Sequence, residues 1–408
     1  MKLHIGIVGP IATADIKHLI QSEETCLPVG YAGAPLISIL ITELLRLGHR
    51  VSAFTLSSDM KTGSNAVIAQ GDNFMMNYIP SRKHAWRFNG FRPGRIVDLY
   101  QYEREQLRKS ILQAEPDVVH AHWSYEFALA VLKTGLPHVV TCHDSPLKVA
   151  KFYNKAQFTQ RYYRWLRVLM ARKAMRQANF VTAVSSYIRD EVQDMTGAVV
   201  EVVPNPVDQF AFDLNKIRSV PVTPHFAMVC NGWQELKNPQ PAMQAFARFY
   251  LSNPDSNLNL YGNDFGVGQL AENWAKEQGI SAGMIFHGDL PHRQLLQDLS
   301  KLDLLLHPSL EESFGVSIAE AMAMGLPVIA GNKSGAVPWV VGNGGVLCEV
   351  QQADEIFNAI ELALVPESYA RFSVAASERV KTMFNANTVA TAYLERYRIA
   401  IDKEFAPC

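Results

Sequence analysis

Apolar runs of three to five residues recur along this chain, at 5–8, 51–55, 118–122, 139–141, 180–184 and 199–203, then at 226–230, 258–261, 284–287, 304–307 and 327–330. Short unbroken runs of this kind read as strands covered on both faces, whereas half-exposed strands alternate. Between the first two runs, residues 34–47 carry apolar side chains at helical spacing and stop at Gly48-His49-Arg50. Strands alternating with helices predict an α/β protein with parallel sheets. The pattern is laid down twice, in halves alike in layout but not in sequence. No short repeat or low-complexity tract interrupts it.

At 408 residues the chain exceeds the usual single core, so two domains are expected. Pro204-Asn205-Pro206-Val207-Asp208 is rigid and rich in turn formers, and it marks the boundary. Residues 367–403 read as two helices broken near Asn385-Ala386-Asn387. Apolar content of 48% and charged content of 19% fit a globular protein without long disorder. Five widely spaced cysteines form no metal or disulfide pattern, which fits a reducing, cytoplasmic compartment. Met1-Lys2-Leu3-His4-Ile5-Gly6 opens directly into a strand-like run, and no apolar stretch reaches the ~18 residues of a membrane span. A protein neither secreted nor membrane-spanning is therefore expected.

The richest chemistry lies where residues 302–306 end at His307-Pro308-Ser309, as a buried strand would. The following loop carries Glu312, and a helix opens near Gly315. Its free N–H groups and positive dipole end favour a diphosphate. Glu320 falls about two turns in, where it could accept hydrogen bonds from ribose hydroxyls. The plainer readings are a dipole partner for Glu312, a solvated Glu320 and a simple turn at Gly315. Eight residues of helix rise about 12 Å, whereas the paired carboxylates of glycosidases sit about 5–9.5 Å apart. A glycosidase pair is disfavoured on that spacing.

The wider segment runs Leu306-His307-Pro308-Ser309-Leu310-Glu311-Glu312-Ser313-Phe314-Gly315, then Glu320-Ala321-Met322-Ala323-Met324-Gly325-Leu326-Pro327-Val328-Ile329-Ala330. It resembles the signature of family 4 retaining glycosyltransferases, within glycosyltransferase group 1. The resemblance implies the GT-B fold, two Rossmann-like domains facing across a cleft. It implies an acceptor-side domain at 1–204, a nucleotide-sugar-binding domain at 205–386, and a last helix at 387–408 that crosses back to the first domain. It implies further that Glu320 grips the ribose. Glu312 would hold the sugar hydroxyls and the charge developing at the anomeric carbon, and Ser313, Phe314 and Gly315 would line the donor. No metal or other cofactor is expected, because the family binds its donor without one and no Asp-x-Asp pair is evident.

Other elements match less fully. Val139-Val140-Thr141-Cys142-His143-Asp144 resembles the family's T-x-H-D element, which makes His143 a contact to the donor sugar with Asp144 orienting it. The plainer reading is a packed histidine and a capping acid. Gly30-Tyr31-Ala32-Gly33-Ala34-Pro35 stands where the family has a glycine-rich loop, so Gly33 is expected near the donor. Cys230-Asn231-Gly232-Trp233-Gln234-Glu235-Leu236-Lys237 resembles the diphosphate loop. Gly232 and Lys237 match, but Trp233 replaces the usual arginine and the spacing is one residue shorter. A solvated loop lysine is the plainer reading of Lys237. Phe286-His287-Gly288 resembles the segment whose backbone reads the base, and Trp339 replaces the glutamate of a G-G-x-P-E turn. His120 and His122 share a strand face, so a zinc pair and simple packing both stand, though no third ligand sits at motif spacing. A dinucleotide dehydrogenase is disfavoured because GxGxxG is absent.

The net charge of −1 hides a split, +7 over residues 1–204 and −8 over 205–408. Residues 151–177 hold eight Lys or Arg and no acid, interleaved with aromatics that include Phe152, Tyr153, Phe158, Tyr162 and Trp165. Residues 82–95 repeat the mixture. Such faces suit an anionic membrane surface or a lipid-linked acceptor. An ordinary helix with its aromatics in the core is the competing reading, and no recognition motif supports nucleic acid. The expected function is transfer of a sugar from a nucleotide-diphosphate sugar to a glycan or lipid-linked acceptor, in the cytoplasm or on the inner face of the membrane. A nucleotide-sugar epimerase or hydrolase stays open. So does a non-catalytic nucleotide-sugar-binding partner, because of Trp233.

Overall fold

A computed structural model describes residues 2–21, 26–33, 35–152 and 158–404. Ala34, Tyr153, Lys155 and Cys408, which enter the sequence reading, lie outside the described residues. The chain divides into two compact units, Met1–Pro206 with Ala386–Cys408, and Val207–Asn385.

The first unit is built on an eight-stranded sheet. Its strands are β1 (His4–Val8), β2 (Arg50–Ser57), β3 (Val67–Gly71), β4 (Phe74–Pro80), β5 (Val118–His122), β6 (His138–Cys142), β7 (Val181–Ala183) and β8 (Val200–Val202). The order is β3-β4-β2-β1-β5-β6-β7-β8, parallel throughout except that β3 runs antiparallel to β4. The unbroken apolar run of β1 has its reason here: Ile5, Ile7 and Val8 are fully buried at the sheet centre. The β3–β4 hairpin was not expected from the sequence. It turns at Asp72-Asn73, with Asn73 at φ 52°, a conformation that asparagine tolerates better than most residues. On the edge strand β3, Ala69 is buried while Ile68 is exposed.

The helix Pro35–Arg46 buries Ile37, Leu40, Ile41 and Leu44 in this core. So does the last helix, Ala386–Glu404, through Val389, Ala390, Tyr393 and Tyr397. The Tyr397 hydroxyl meets Nδ1 of His120 at 2.7 Å, and the Tyr393 hydroxyl meets Oγ1 of Thr141 at 3.2 Å. The C-terminal helix is thereby tied to β5 and β6 by buried polar contacts.

The second unit carries β9 (His225–Val229), β10 (Asn257–Tyr261), β11 (Met284–Gly288), β12 (Leu304–His307), β13 (Val328–Gly331) and β14 (Gly345–Cys348). All pairs are parallel, in the order β11-β10-β9-β12-β13-β14. The chain builds outward from β9 in one direction, then returns to build outward from β12 in the other. Ligands of doubly wound sheets bind outside the strand carboxyl ends at such a reversal. In the first unit the reversal falls between β1 and β5.

The loop after β4 hangs on one buried cation. Arg82 is 0% exposed, and its guanidinium binds Glu103 at 2.6 Å, Asp98 at 2.7 Å and the Pro93 carbonyl at 2.9 Å. The sequence reading counted Arg82 among the surface cations of residues 82–95. It is instead an internal staple of that loop. Arg82→Met strands the fully buried Glu103 carboxylate, and losing one partner of a buried pair costs about 3–5 kcal/mol. Denaturant unfolding should show that loss, and a change under about 1 kcal/mol would refute the staple.

Candidate active site

In the second unit, the loops after β9 and β12 leave the sheet side by side and are pinned together. Asn238, at φ 49°, donates its side-chain amide to the carbonyls of Pro308 (3.1 Å) and Val350 (2.9 Å). The Leu310 amide donates to the Leu236 carbonyl at 2.8 Å. This pinning brings Nζ of Lys237 to 2.6 Å from Oε1 of Glu312. Nε2 of His307 lies 3.7 Å from the same oxygen. Burial pushes the Glu312 carboxyl up, but the Lys237 ammonium, His307 and the Ser309 hydrogen bond outweigh it and hold it below the usual range. The sequence assigned Lys237 to the diphosphate and Glu312 to the sugar. The structure brings the two together as one ion pair.

Gly315 sits at φ 89° and starts the helix Val316–Ala323. An added Cβ would lie 3.0 Å from the Ile318 side chain, so a glycine suits the site twice over. Glu320 is 5% exposed, which rules out the solvated reading. Its Oε1 is 2.6 Å from Nε2 of His292, the first residue of the helix His292–Leu299. Only the last four steps from Glu312 to Glu320 are helical, about 6 Å of rise. The 12 Å expected from the sequence overstates that rise, and what separates the two carboxylates is their partners. Phe314 is 3% exposed and packs edge-on to Phe384 and Trp339. Its expected donor contact is corrected accordingly: the ring belongs to the core and leaves only its backbone for a ligand. Ser313 is half-buried in the same loop.

Beside this cluster, a cavity of about 310 Å³ opens at the carboxyl ends of β9, β10 and β11, lined by Asn231, Tyr261, Asn263, Asp289 and Leu290 among others. Gly288 ends β11 at φ 75°, and its missing Cβ would come within 3.1 Å of Gly266. Gly232, at φ 99°, turns the chain after β9. The Trp233 amide donates to Asp264 at 3.0 Å, and its ring packs 5.5 Å from Trp274 and 5.8 Å from Phe265. An aromatic anchor stands where a second phosphate cation was looked for.

In the first unit the β1–β5 reversal is just as tight. A Cβ on Gly9 would lie 3.0 Å from that of His122. Nδ1 of His122 is 2.9 Å from Nε2 of His143, and the His143 ring stacks on Trp123 at 4.2 Å. Trp123 holds φ 67°, a strained conformation of the kind that clusters at functional sites. Nδ1 of His143 is buried, and a side-chain hydrogen bond with Asn205 opposes the larger effect of burial on this ring. Asp144 does not orient this ring as expected, because it accepts a hydrogen bond from the Tyr125 hydroxyl at 2.9 Å. His120 and His122 stack at 4.0 Å and are bound by Tyr397, Thr141 and His143, which is packing, not a zinc pair. Gly33 sits at φ 125° with open space around it.

Sequence reasoning missed His292 and Asn238, which act through partners 28 and 70 residues away, and it gave no role to His307 although that residue stands within the signature. Burial pushes His120 and His122 far down and His143 to about 3, so all three stay neutral when folded. Their folded pKa values lie below the unfolded value near 6.5. Above that pH they add no pH dependence. Below it the unfolded chain binds more protons, and each histidine lowers stability by about 1.4 kcal/mol per pH unit. Unfolding free energies measured between pH 7.5 and 5 should fall on acidification, and His120→Asn should reduce that slope.

Models of two adjoining families match the chain: Glycosyltransferase Family 4 over residues 37–209, and Glycosyl transferases group 1 over residues 214–379. A glycogen synthase of Mycobacterium tuberculosis is 26% identical over 309 residues, 72% of this chain and 71% of the relative. A D-inositol 3-phosphate glycosyltransferase of Stackebrandtia nassauensis is 26% identical over 373 residues, 85% and 82% of the two chains. Among solved structures, sucrose-phosphate synthase from Thermosynechococcus elongatus superposes with a TM-score of 0.74 at 18% identity, over 98% of this chain and 100% of the other. Two mainly parallel sheets of the GT-B class, matched by these two models over residues 37–209 and 214–379, make this chain a member of the family 4, group 1 glycosyltransferases and an enzyme.

Proposed function

We propose that the protein is a retaining transferase that moves a sugar from a nucleotide-diphosphate sugar to a glycan or lipid-linked acceptor and needs no metal to hold its donor. The observation that carries this reading is the set of two partnered carboxylates, the half-buried Glu312 with Lys237 and the buried Glu320 with His292, beside the reversal of the second sheet. Glu320 accepts hydrogen bonds from the ribose. Lys237 and the first N–H groups after Gly315 take the diphosphate, a place where fixed donors and charge stabilise a leaving group most. Glu312, kept ionised by Lys237, faces the sugar and the positive charge at its anomeric carbon. His143, kept neutral by burial, supplies a hydrogen bond to a sugar hydroxyl. In the transfer, the bond from the anomeric carbon to the phosphate oxygen breaks as the bond to the acceptor oxygen forms on the same face. The acceptor's proton passes to the leaving phosphate.

The reading extends to a peripheral position on an anionic membrane. Phe88 and Phe158 are more than 70% exposed, Phe91 is fully exposed, and Trp86, Tyr162 and Trp165 stand partly clear of the surface. Trp86 and Tyr162 join the loop to the helix Phe158–Gln177, their rings 6.1 Å apart. Lys83, Arg87, Arg92, Arg161, Lys173 and Arg176 are exposed around them. Arg167 is not part of this face: it lies 3.5 Å over the Tyr125 ring and binds the Tyr163 hydroxyl at 2.7 Å. Each surface cation near such a membrane contributes about 1 kcal/mol. Among the described residues no helix is long and apolar enough to cross a membrane.

Thermal unfolding with UDP, GDP and ADP, each with and without EDTA, tests the donor site. One base at about 100 times its Kd should add about 2.7 kcal/mol whether or not EDTA is present, and Glu320→Ala should abolish that gain. No gain with any base, or a gain erased by EDTA, would overturn the metal-independent donor site. Phe88→Ser with Phe91→Ser should release the protein from vesicles rich in phosphatidylserine while leaving donor hydrolysis unchanged. Undiminished sedimentation with those vesicles would make the patch an ordinary surface.

A further inference from the structure

Glu320 is a carboxylate almost entirely removed from water, and such a group needs a charged or hydrogen-bonding partner. Nε2 of His292 stands 2.6 Å from Oε1, the length of a charge-assisted hydrogen bond. The two residues come from different helices. His292 opens the helix His292–Leu299, directly after Pro291 at φ −53° and ψ 135°. Glu320 lies in the helix Val316–Ala323, where side chains lean toward the helix N-terminus and hence toward Gly315. The imidazole therefore fixes one oxygen of the carboxylate at the end of the helix proposed to meet the diphosphate.

His292 has a second connection. It follows β11 by a three-residue link, Asp289-Leu290-Pro291, whose Asp289 and Leu290 line the 310 Å³ cavity, as does Leu295 one turn into the helix. The segment that walls the cavity is the segment that sets the ring. Proline at the N-cap fixes φ and helps hold the ring at one height above the sheet. A carboxylate has acceptor sites on both oxygens. With Oε1 held by imidazole, its orientation about χ3 is no longer free, and its remaining acceptor capacity has a set direction.

We propose that His292 is the positioning residue for Glu320 and that, through it, the site distinguishes ribonucleotides from 2′-deoxyribonucleotides. This rests on the ribose-binding reading of Glu320. A freely turning carboxylate would satisfy itself with the 3′-hydroxyl alone and tolerate loss of the 2′-hydroxyl. A carboxylate held at one oxygen loses a directed hydrogen bond when the 2′-hydroxyl is missing, and sites built to bind a hydroxyl reject analogues lacking it. The wall shared with the cavity makes the same ring sensitive to what fills that cavity.

The test uses the full-length protein and UDP, GDP or ADP, whichever binds, together with its 2′-deoxy counterpart. Dissociation constants are measured by calorimetry for the unsubstituted protein, Glu320→Gln, His292→Ala and His292→Gln. The unsubstituted protein should prefer the ribonucleotide by about tenfold or more. Glu320→Gln should bring that preference close to one. His292→Ala should reduce it several-fold and raise the donor KM while kcat stays within about threefold. His292→Gln, whose amide can donate to the same oxygen, should restore most of the preference. If His292→Ala keeps the full preference that Glu320→Gln loses, His292 is only a packing residue and the proposal falls. If the unsubstituted protein shows no preference, the ribose reading of Glu320 falls and the proposal with it. Should His292→Ala not fold, the comparison of His292→Gln with Glu320→Gln decides, since equal loss in both would overturn the rescue.

Discussion

An ionised carboxylate does not stay buried without a partner, and in the second unit that constraint organises the site. Glu312 and Glu320 are both largely removed from water, and each is met by a base from another element. Lys237 arrives from the loop after β9, and His292 arrives from the link after β11. To deliver them, the loops must be registered against one another to a fraction of an ångström. The Asn238 amide, shared between the Pro308 and Val350 carbonyls, registers the Lys237 loop against the loop that carries Glu312. A diphosphate binding here would find Lys237 already desolvated and already close to a carboxylate. Fixed charge of that kind needs little rearrangement when new charge develops.

The first unit meets the same topological situation with uncharged groups. At its reversal stand His122 and His143, neutral through burial and hydrogen-bonded to each other. A neutral imidazole offers one donor and one acceptor, which suits sugar hydroxyls, whereas the Lys237 ammonium of the second unit suits a phosphate. The chain thus keeps its charge where the sequence already places phosphate chemistry.

Much of this was legible before any coordinates. The apolar runs marked eleven of the fourteen strands, most of them buried on both faces, with the edge strands β8 and β11 half-exposed. The three missed were β3 and β4, a hairpin whose apolar stretches at 66–69 and 74–76 are each ended by a polar residue, and the short β14. Glu312, Glu320 and Gly315 were legible as a local motif with fixed spacing, and all three sit where a strand end meets a helix. What could not be read was pairing. Nothing in the order of residues ties His292 to Glu320, 28 positions away, or Lys237 to Glu312, 75 away. Asp144 was misassigned for the same reason, since its neighbour in sequence, His143, is not its neighbour in hydrogen bonding. Counting arginines as a surface charge failed at Arg82, because burial depends on which acids fold over a residue.

The last helix, Ala386–Glu404, belongs to the first unit although the whole second unit separates them in the chain. During synthesis at about 5–20 residues per second, β5 and β6 therefore emerge well before the tyrosines that satisfy His120 and Thr141. The half of the protein made first is the half completed last. Until the ribosome reaches the final turns, the earlier sheet carries an open seam in which Nδ1 of His120 faces water instead of the Tyr397 hydroxyl. The later unit can close its own core while that seam waits, so the nascent chain matures in the reverse of the order in which it is written.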